Sequence, residues 1–213
     1  MKPALSTKAA LILIDVQNGF LPPSHWGTER STPECEANIT KLLTQARTHN
    51  AKTNDPSPAD GNDDDGQVLI CHVHHHSISP DSMLHPDKTI VVDAPSSARA
   101  WRRSCASHHV RRLVLCGLTT DHCVSTSTRM AGNLRIVDEV ADTAYGDDSQ
   151  TKKKATTTLT SEGDILLVGD ACATYAKGGF DAERVHRVSL ASLDGEFAHV
   201  AATADVIDTI FGA

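Results

Sequence analysis

The chain has 213 residues, with 27 Asp and Glu against 20 Lys and Arg, for a formal net charge of −7. That length suits one domain with a sizeable core, and the acidic balance, with a pI near 5.9, argues against nucleic acid or an anionic membrane surface as partner. No apolar run approaches the about 18 residues of a membrane span, and the six cysteines (35, 71, 105, 116, 123 and 172) lack the spacing of a zinc knuckle or a disulfide framework, which points to a reducing, cytoplasmic setting.

Five apolar runs read as strands in chain order: Ala10–Asp15, Gln67–Val73, Thr89–Asp93, Arg112–Cys116 and Asp164–Asp170. They are nearly continuous rather than alternating, as expected for a parallel sheet covered on both faces. The first is too short for a signal peptide and ends in an aspartate. Helical patterns lie between the strands. Ser31-Thr32-Pro33-Glu34 opens the first with a cap, an early proline and an acid in the first turn, and Ile39, Leu42, Leu43 and Ala46 form its apolar face. Cys123–Asn133 and Asp181–Leu193 are the second and third. The alternation predicts a single α/β domain over 1–213, a three-layer, doubly wound and mostly parallel sheet of Rossmann-like topology. Residues 51–66 are acidic with Pro and Gly, residues 135–163 are polar and Thr-rich, and both read as disordered insertions.

The segment 112–134 carries the strongest chemical signal. Leu113, Val114 and Leu115 form a buried strand, Gly117 breaks it, and a helix starts near His122–Cys123. A thiol there feels the positive end of the helix dipole, which favours the thiolate. The first N–H groups of such a helix are open to an oxyanion. Cys71 and Cys116 fall in strands and read as core. His72, His74, His75 and His76 follow the second strand, with His72 and His74 on one face; a polar loop end that touches substrate explains them better than a metal centre, and no metal is expected. Asp170 reads as a loop-fixing hydrogen-bond acceptor, and His186 as a packed or exposed helix residue.

Three blocks, ALILIDVQNGF (10–20), LVLCGLTTDHCVSTSTRMA (113–131) and VGDACATYAKGGFDAERVHRVSLASLDGEFA (168–198), resemble the isochorismatase-like cysteine hydrolases, among them nicotinamidase- and carbamoyl-amidase-related members. The resemblance implies a roughly six-stranded isochorismatase-like fold, a cofactor-independent reaction on a small molecule and possible homo-oligomers. It also implies an Asp–Lys–Cys triad, with Asp15 as the base and Cys123 as the nucleophile. A non-proline cis peptide would join Leu118 to Thr119, and the oxyanion would rest on the N–H groups of Thr119 and Cys123. Phe20 and Trp26, with Pro22 and Pro23, either wall the pocket or simply pack their loop.

The resemblance further implies, from the cysteine at that position, amide, carbamoyl or ureido C–N substrates cleaved through a thioester. The chain departs from the pattern at the triad lysine. The strand TIVVD ends in Asp93, and no lysine occurs between Lys88 and Cys123. Lys88 precedes the strand and is a poorly placed candidate, while Arg99, Arg102 or Arg103 would bring a bulkier, permanently charged group. Residues 89–109 therefore read as a replacement of a longer family segment. A catalytically impaired fold relative that binds a small molecule or partner is the alternative reading.

Overall fold

The computed structural model describes residues 8–21, 23–53, 66–85, 105, 108–142 and 157–211. Strand β1 (Ala9–Ile14) is AALILI, buried at every position, and its alternating side chains serve two cores. Ala9, Leu11 and Leu13 face helix α2 (Cys35–Thr53) and its Cys35, Ile39, Leu42 and Ala46; Ala10, Ile12 and Ile14 face Val124, Ala131 and Leu193 on the other side. A continuous apolar strand is therefore what a sheet covered on both faces requires. Between β1 and α2 lie a 3-10 turn (Asn18–Phe20) and the short helix α1 (Pro23–Trp26).

The sheet has five described strands, all parallel, in the order β2-β1-β3-β6-β7: β2 (Leu69–Val73), β3 (Arg112–Leu118), β6 (Asp164–Ala173) and β7 (His199–Ala201) join β1. Helices α3 (Ser125–Asn133) and α4 (Ala182–Ala191) follow β3 and β6, and α5 (Thr203–Val206) with a further turn, Ile207–Phe211, ends the described chain. This is the expected α/β architecture. Because β2 and β3 lie on opposite sides of β1, the strand order reverses beside its carboxyl end, the place where such sheets build their sites.

Several boundaries differ from the sequence expectation. Gly117 does not end β3; it lies inside the strand at φ 125°, where the pairing with β6 shifts between Leu115 and Gly117. The helix expected over Cys123–Asn133 starts earlier, with a π-type turn over Thr120–Val124 leading into α3. Helix α2 runs on to Thr53, into the stretch read as a loop. Within 135–163, β4 (Glu139–Asp142) and β5 (Thr157–Ser161) pair antiparallel as a separate two-stranded sheet. The polar, Thr-rich composition hid this pair, since the sequence there has no run of apolar residues or steady apolar alternation. Strand β7 is too short to give a periodic signal. The expected strand Thr89–Asp93 lies outside the described residues.

Asp170 fixes a loop, as expected: its carboxylate accepts from the Thr203 N–H and hydroxyl, each at 2.8 Å, at the start of α5. At the amino ends of the central strands, Arg112 is fully buried and its guanidinium reaches the Asp164 carboxylate at 2.9 and 3.3 Å. Replacing Asp164 by Ala leaves that buried cation without its carboxylate. Chemical denaturation of D164A is expected to show a loss of about 2–3 kcal/mol, less than the about 3–5 kcal/mol for breaking a fully buried pair, because Asp164 itself is partly exposed. A midpoint unchanged from the parent rejects this account of the Arg112 contact.

Candidate active site

The end of β1 places one carboxylate. Asp15 adopts a left-handed backbone conformation, φ 52°, which aspartate tolerates better than most residues. Its N–H donates to the Val73 carbonyl at 2.8 Å, so the ends of β1 and β2 are tied together. The residue is only 2% exposed. The end of the adjacent β3 places the thiol. After Leu118 the peptide to Thr119 is cis, as the resemblance implies, and the chain then enters the turn that carries Cys123.

Asp15 and Cys123 meet, close enough for the carboxylate and the thiol to shift each other's ionisation. A third side chain completes the group. One carboxylate oxygen of Asp15, one ring nitrogen of His75 and the Cys123 Sγ all lie within 4.8 Å of one another. The backbone of His75 is held by Gln17, whose Oε1 accepts the His75 N–H at 2.8 Å while its Nε2 donates to the His75 carbonyl at 3.3 Å. Thus the residue two places after Asp15 pins the segment after β2 against the end of β1.

The electrostatics follow from this packing. Burial raises the Asp15 carboxyl above the ordinary 3.8, offset in part by the Cys123 thiol and the nearby His75 and His74. The Cys123 thiol is pushed up to about 12, first by burial, then by its bond to Asp15 and that group's charge, then by Asp121; its own backbone N–H opposes the shift. The helix-terminus effect expected to favour the thiolate is therefore outweighed. The resting pair is a thiol beside a carboxylate.

Two further contacts brace the nucleophile turn. The Asp121 carboxylate accepts from the Thr174 hydroxyl and pairs with Lys177, tying the turn to the segment after β6. Burial opposes ionisation of Asp121, but the Lys177 and Thr174 contacts outweigh it and hold the carboxyl below the usual range. One residue earlier, the Thr120 hydroxyl meets His186 Nδ1 at 2.8 Å, and the other ring nitrogen lies 3.4 Å from the Thr32 hydroxyl. His186 is buried, as one of the two expectations for it held, and burial pushes its imidazole below the ordinary value against Glu183 and a Gly169 backbone contact.

The other sequence candidates fall in separate places. Leu118 and Thr119 are buried directly before the turn. Phe20, 5% exposed, stacks on Trp26 at 4.7 Å, and Trp26 stacks on Tyr175 at 6.0 Å. The Trp26 Nε1 donates to the Gly19 carbonyl at 2.8 Å and the Tyr175 hydroxyl to the Phe20 carbonyl at 2.7 Å, so these aromatics pack their loop against the segment after β6. His72 and His74 stack with ring centres 6.5 Å apart, but it is His75 that joins Asp15 and Cys123. Lys88, Asp93, Arg99, Arg102 and Arg103 lie outside the described residues.

Sequence reasoning passed over Gln17, Asp121, Lys177 and the individual role of His75. The signals were present but weak: Gln17 and Asp121 flank Asp15 and Cys123 by two residues, while nothing in AKGGF marks Lys177 as a partner of position 121.

No family model matches the chain. The uncharacterized isochorismatase family protein YrdC of Bacillus subtilis is 28% identical over 227 residues, covering 96% of this chain and 97% of the relative. An isochorismatase-family protein from Chromobacterium violaceum superposes with a TM-score of 0.68 at 24% identity, over 98% of this chain and 97% of that one. A cysteine hydrolase from Pseudomonas syringae pv. phaseolicola superposes with a TM-score of 0.54 at 19% identity, over 98% of each chain. The structural likenesses carry the fold, and in sequence the chain is similar to an isochorismatase family protein along nearly its whole length.

Proposed function

We propose that this protein is a hydrolase that cleaves an amide, carbamoyl or ureido C–N bond of a small molecule, with Cys123 as nucleophile and Asp15 as general base. The observation that carries the reading is the approach of the Cys123 sulfur and the Asp15 carboxylate to within 4.8 Å at the switch point of the sheet. The cysteine hydrolase name of one structural neighbour is consistent with it.

In this reading the substrate carbonyl oxygen sits against the N–H groups of Thr119 and Cys123. Asp15 takes the thiol proton as Cys123 forms the C–S bond, and the oxyanion rests on those two donors. Collapse of the tetrahedral adduct breaks the C–N bond, and Asp15 returns the proton to the departing nitrogen. Water then hydrolyses the thioester. Because the thiol is held near 12, the proton leaves during the attack rather than before it. A buried carboxylate with a raised pKa is the stronger base for that task. Among the described residues no helix is long and apolar enough to cross a membrane.

Turnover of a panel of nicotinamide-like, carbamoyl and ureido compounds, with mass spectrometry of acid-quenched protein, tests the reading. A transient acyl group on Cys123 is expected with at least one of them. A folded protein that hydrolyses none and forms no adduct supports the second reading, a non-catalytic binding protein. That reading draws on the sulfur itself: burial, Asp15 and Asp121 all oppose its ionisation.

The same shifts set the pH dependence. Asp15 must be ionised to act as base, and its pKa lies above 3.8, so the acid limb of kcat/KM is expected above that pH. Alkylation of Cys123 by iodoacetamide should continue to rise beyond pH 9 and not level off there, because the thiol titrates near 12. A plateau at or below pH 9 contradicts the assigned environment.

A further inference from the structure

We propose that Asp15, His75 and Cys123 together bind a soft divalent cation of the Zn2+ type, which holds the nucleophile as a metal thiolate and keeps it from attacking. The three side chains supply a carboxylate oxygen, an imidazole nitrogen and a sulfur, all mutually within 4.8 Å. That is the donor set zinc prefers, and three protein ligands with a water in the fourth place is a common arrangement around it. Donor atoms on one tetrahedral zinc stand about 3.3–3.6 Å apart, given bonds of about 2.0–2.3 Å. Closing the present group onto an ion therefore takes small side-chain rotations.

The surroundings favour that closure. Asp15 is fixed by burial and by its N–H bond to Val73. The imidazole of His75 is exposed and can turn, while its backbone is clamped on both sides by the Gln17 amide. Lys177, the cation tied to the nucleophile turn, is paired with Asp121 rather than with Asp15. A divalent ion would supply positive charge between a carboxylate and a sulfur. Binding exchanges one bond for another: the S–H bond breaks, an S–metal bond forms, and one proton per ion passes to solvent. His72 and His74, stacked on each other, are a separate pair and are not part of this set.

The inference shares its residues with the hydrolase reading but needs no substrate to be tested. The full chain is stripped with a chelator and titrated with Zn2+ against a chromophoric competitor, with thermal melts confirming that each variant is folded. One ion per chain is expected, bound at least tenfold more weakly by His75→Ala and by Cys123→Ser, with His72→Ala and Cys71→Ser unchanged. Stoichiometric Zn2+ should also block iodoacetamide labelling of Cys123, and EDTA should restore it. No uptake in molar excess of Zn2+, or uptake that H75A and C123S leave unaltered, overturns the proposal. A protein that binds zinc but turns over no amide loses only the hydrolase reading, and one that turns over an amide but takes no zinc loses only this one.

Discussion

Asp15→Asn and Cys123→Ser are each expected to lower kcat/KM by at least about a thousandfold against whichever C–N substrate the panel identifies, about 4 kcal/mol of transition-state stabilisation. The two arguments differ. Serine keeps the shape of the turn but substitutes an oxygen that a carboxylate base activates poorly, so the acyl intermediate should disappear. Asparagine keeps an acceptor near the thiol but cannot take its proton. Because the two groups act on one proton, the double variant should be little worse than either single one. Additive losses would mean that Asp15 and Cys123 do not share a step.

The stability of D15N separates this loss from misfolding. A group whose folded pKa is raised contributes stability below its unfolded value and loses it as the pH rises through the folded value. Asp15 is such a group, raised from 3.8 chiefly by burial. At neutral pH its ionised form is a cost to the fold, and asparagine removes that cost. D15N should thus melt at or above the parent temperature at pH 7 while being inactive. An inactive variant that also melts well below the parent would point to a structural role instead.

What could be read from the residues, and what could not, follows from the range of each interaction. Continuous apolar runs such as Leu11–Ile14 and Leu113–Leu115 locate strands because burial on both faces admits nothing else. Asp15 and Cys123 were readable because each stands at the end of such a run, and parallel neighbours bring those ends together. The anchors of the turn were not readable. Lys177 meets Asp121 across 56 positions and His186 meets Thr120 across 66, through chain reversals that no local pattern encodes. His75 was visible only as one of a histidine run, and the backbone clamp by Gln17, 58 positions earlier, is what selects it. The sign of the thiol shift was misjudged for a related reason. The helix terminus is a local feature, whereas burial and the Asp15 charge belong to the assembled site.

The largest structural effect is expected at Gly117. Its φ of 125° already excludes comfortable placement of an L side chain, and a Cβ there would stand 2.0 Å from the Ile14 carbonyl oxygen and 2.8 Å from two further backbone atoms of Ile14. Neither side can yield cheaply. Ile14 is paired to both β2 and β3 and leads directly into Asp15, so relief of the clash must separate the strands that carry Asp15 and Cys123. Gly117→Ala should cost more than about 4 kcal/mol, a large part of the 5–15 kcal/mol that stabilises an ordinary domain. For a chain of this size that corresponds to a melting temperature lower by roughly 10 °C or more, or to insoluble protein. Gly179→Ala is the comparison: its φ of 81° carries the same backbone penalty, but nothing lies within 4 Å of its Cβ, so it should lose only about 1 kcal/mol. Equal losses in the two variants would assign the whole effect to backbone conformation and remove the close approach of β1 and β3 as the reason for a glycine at 117.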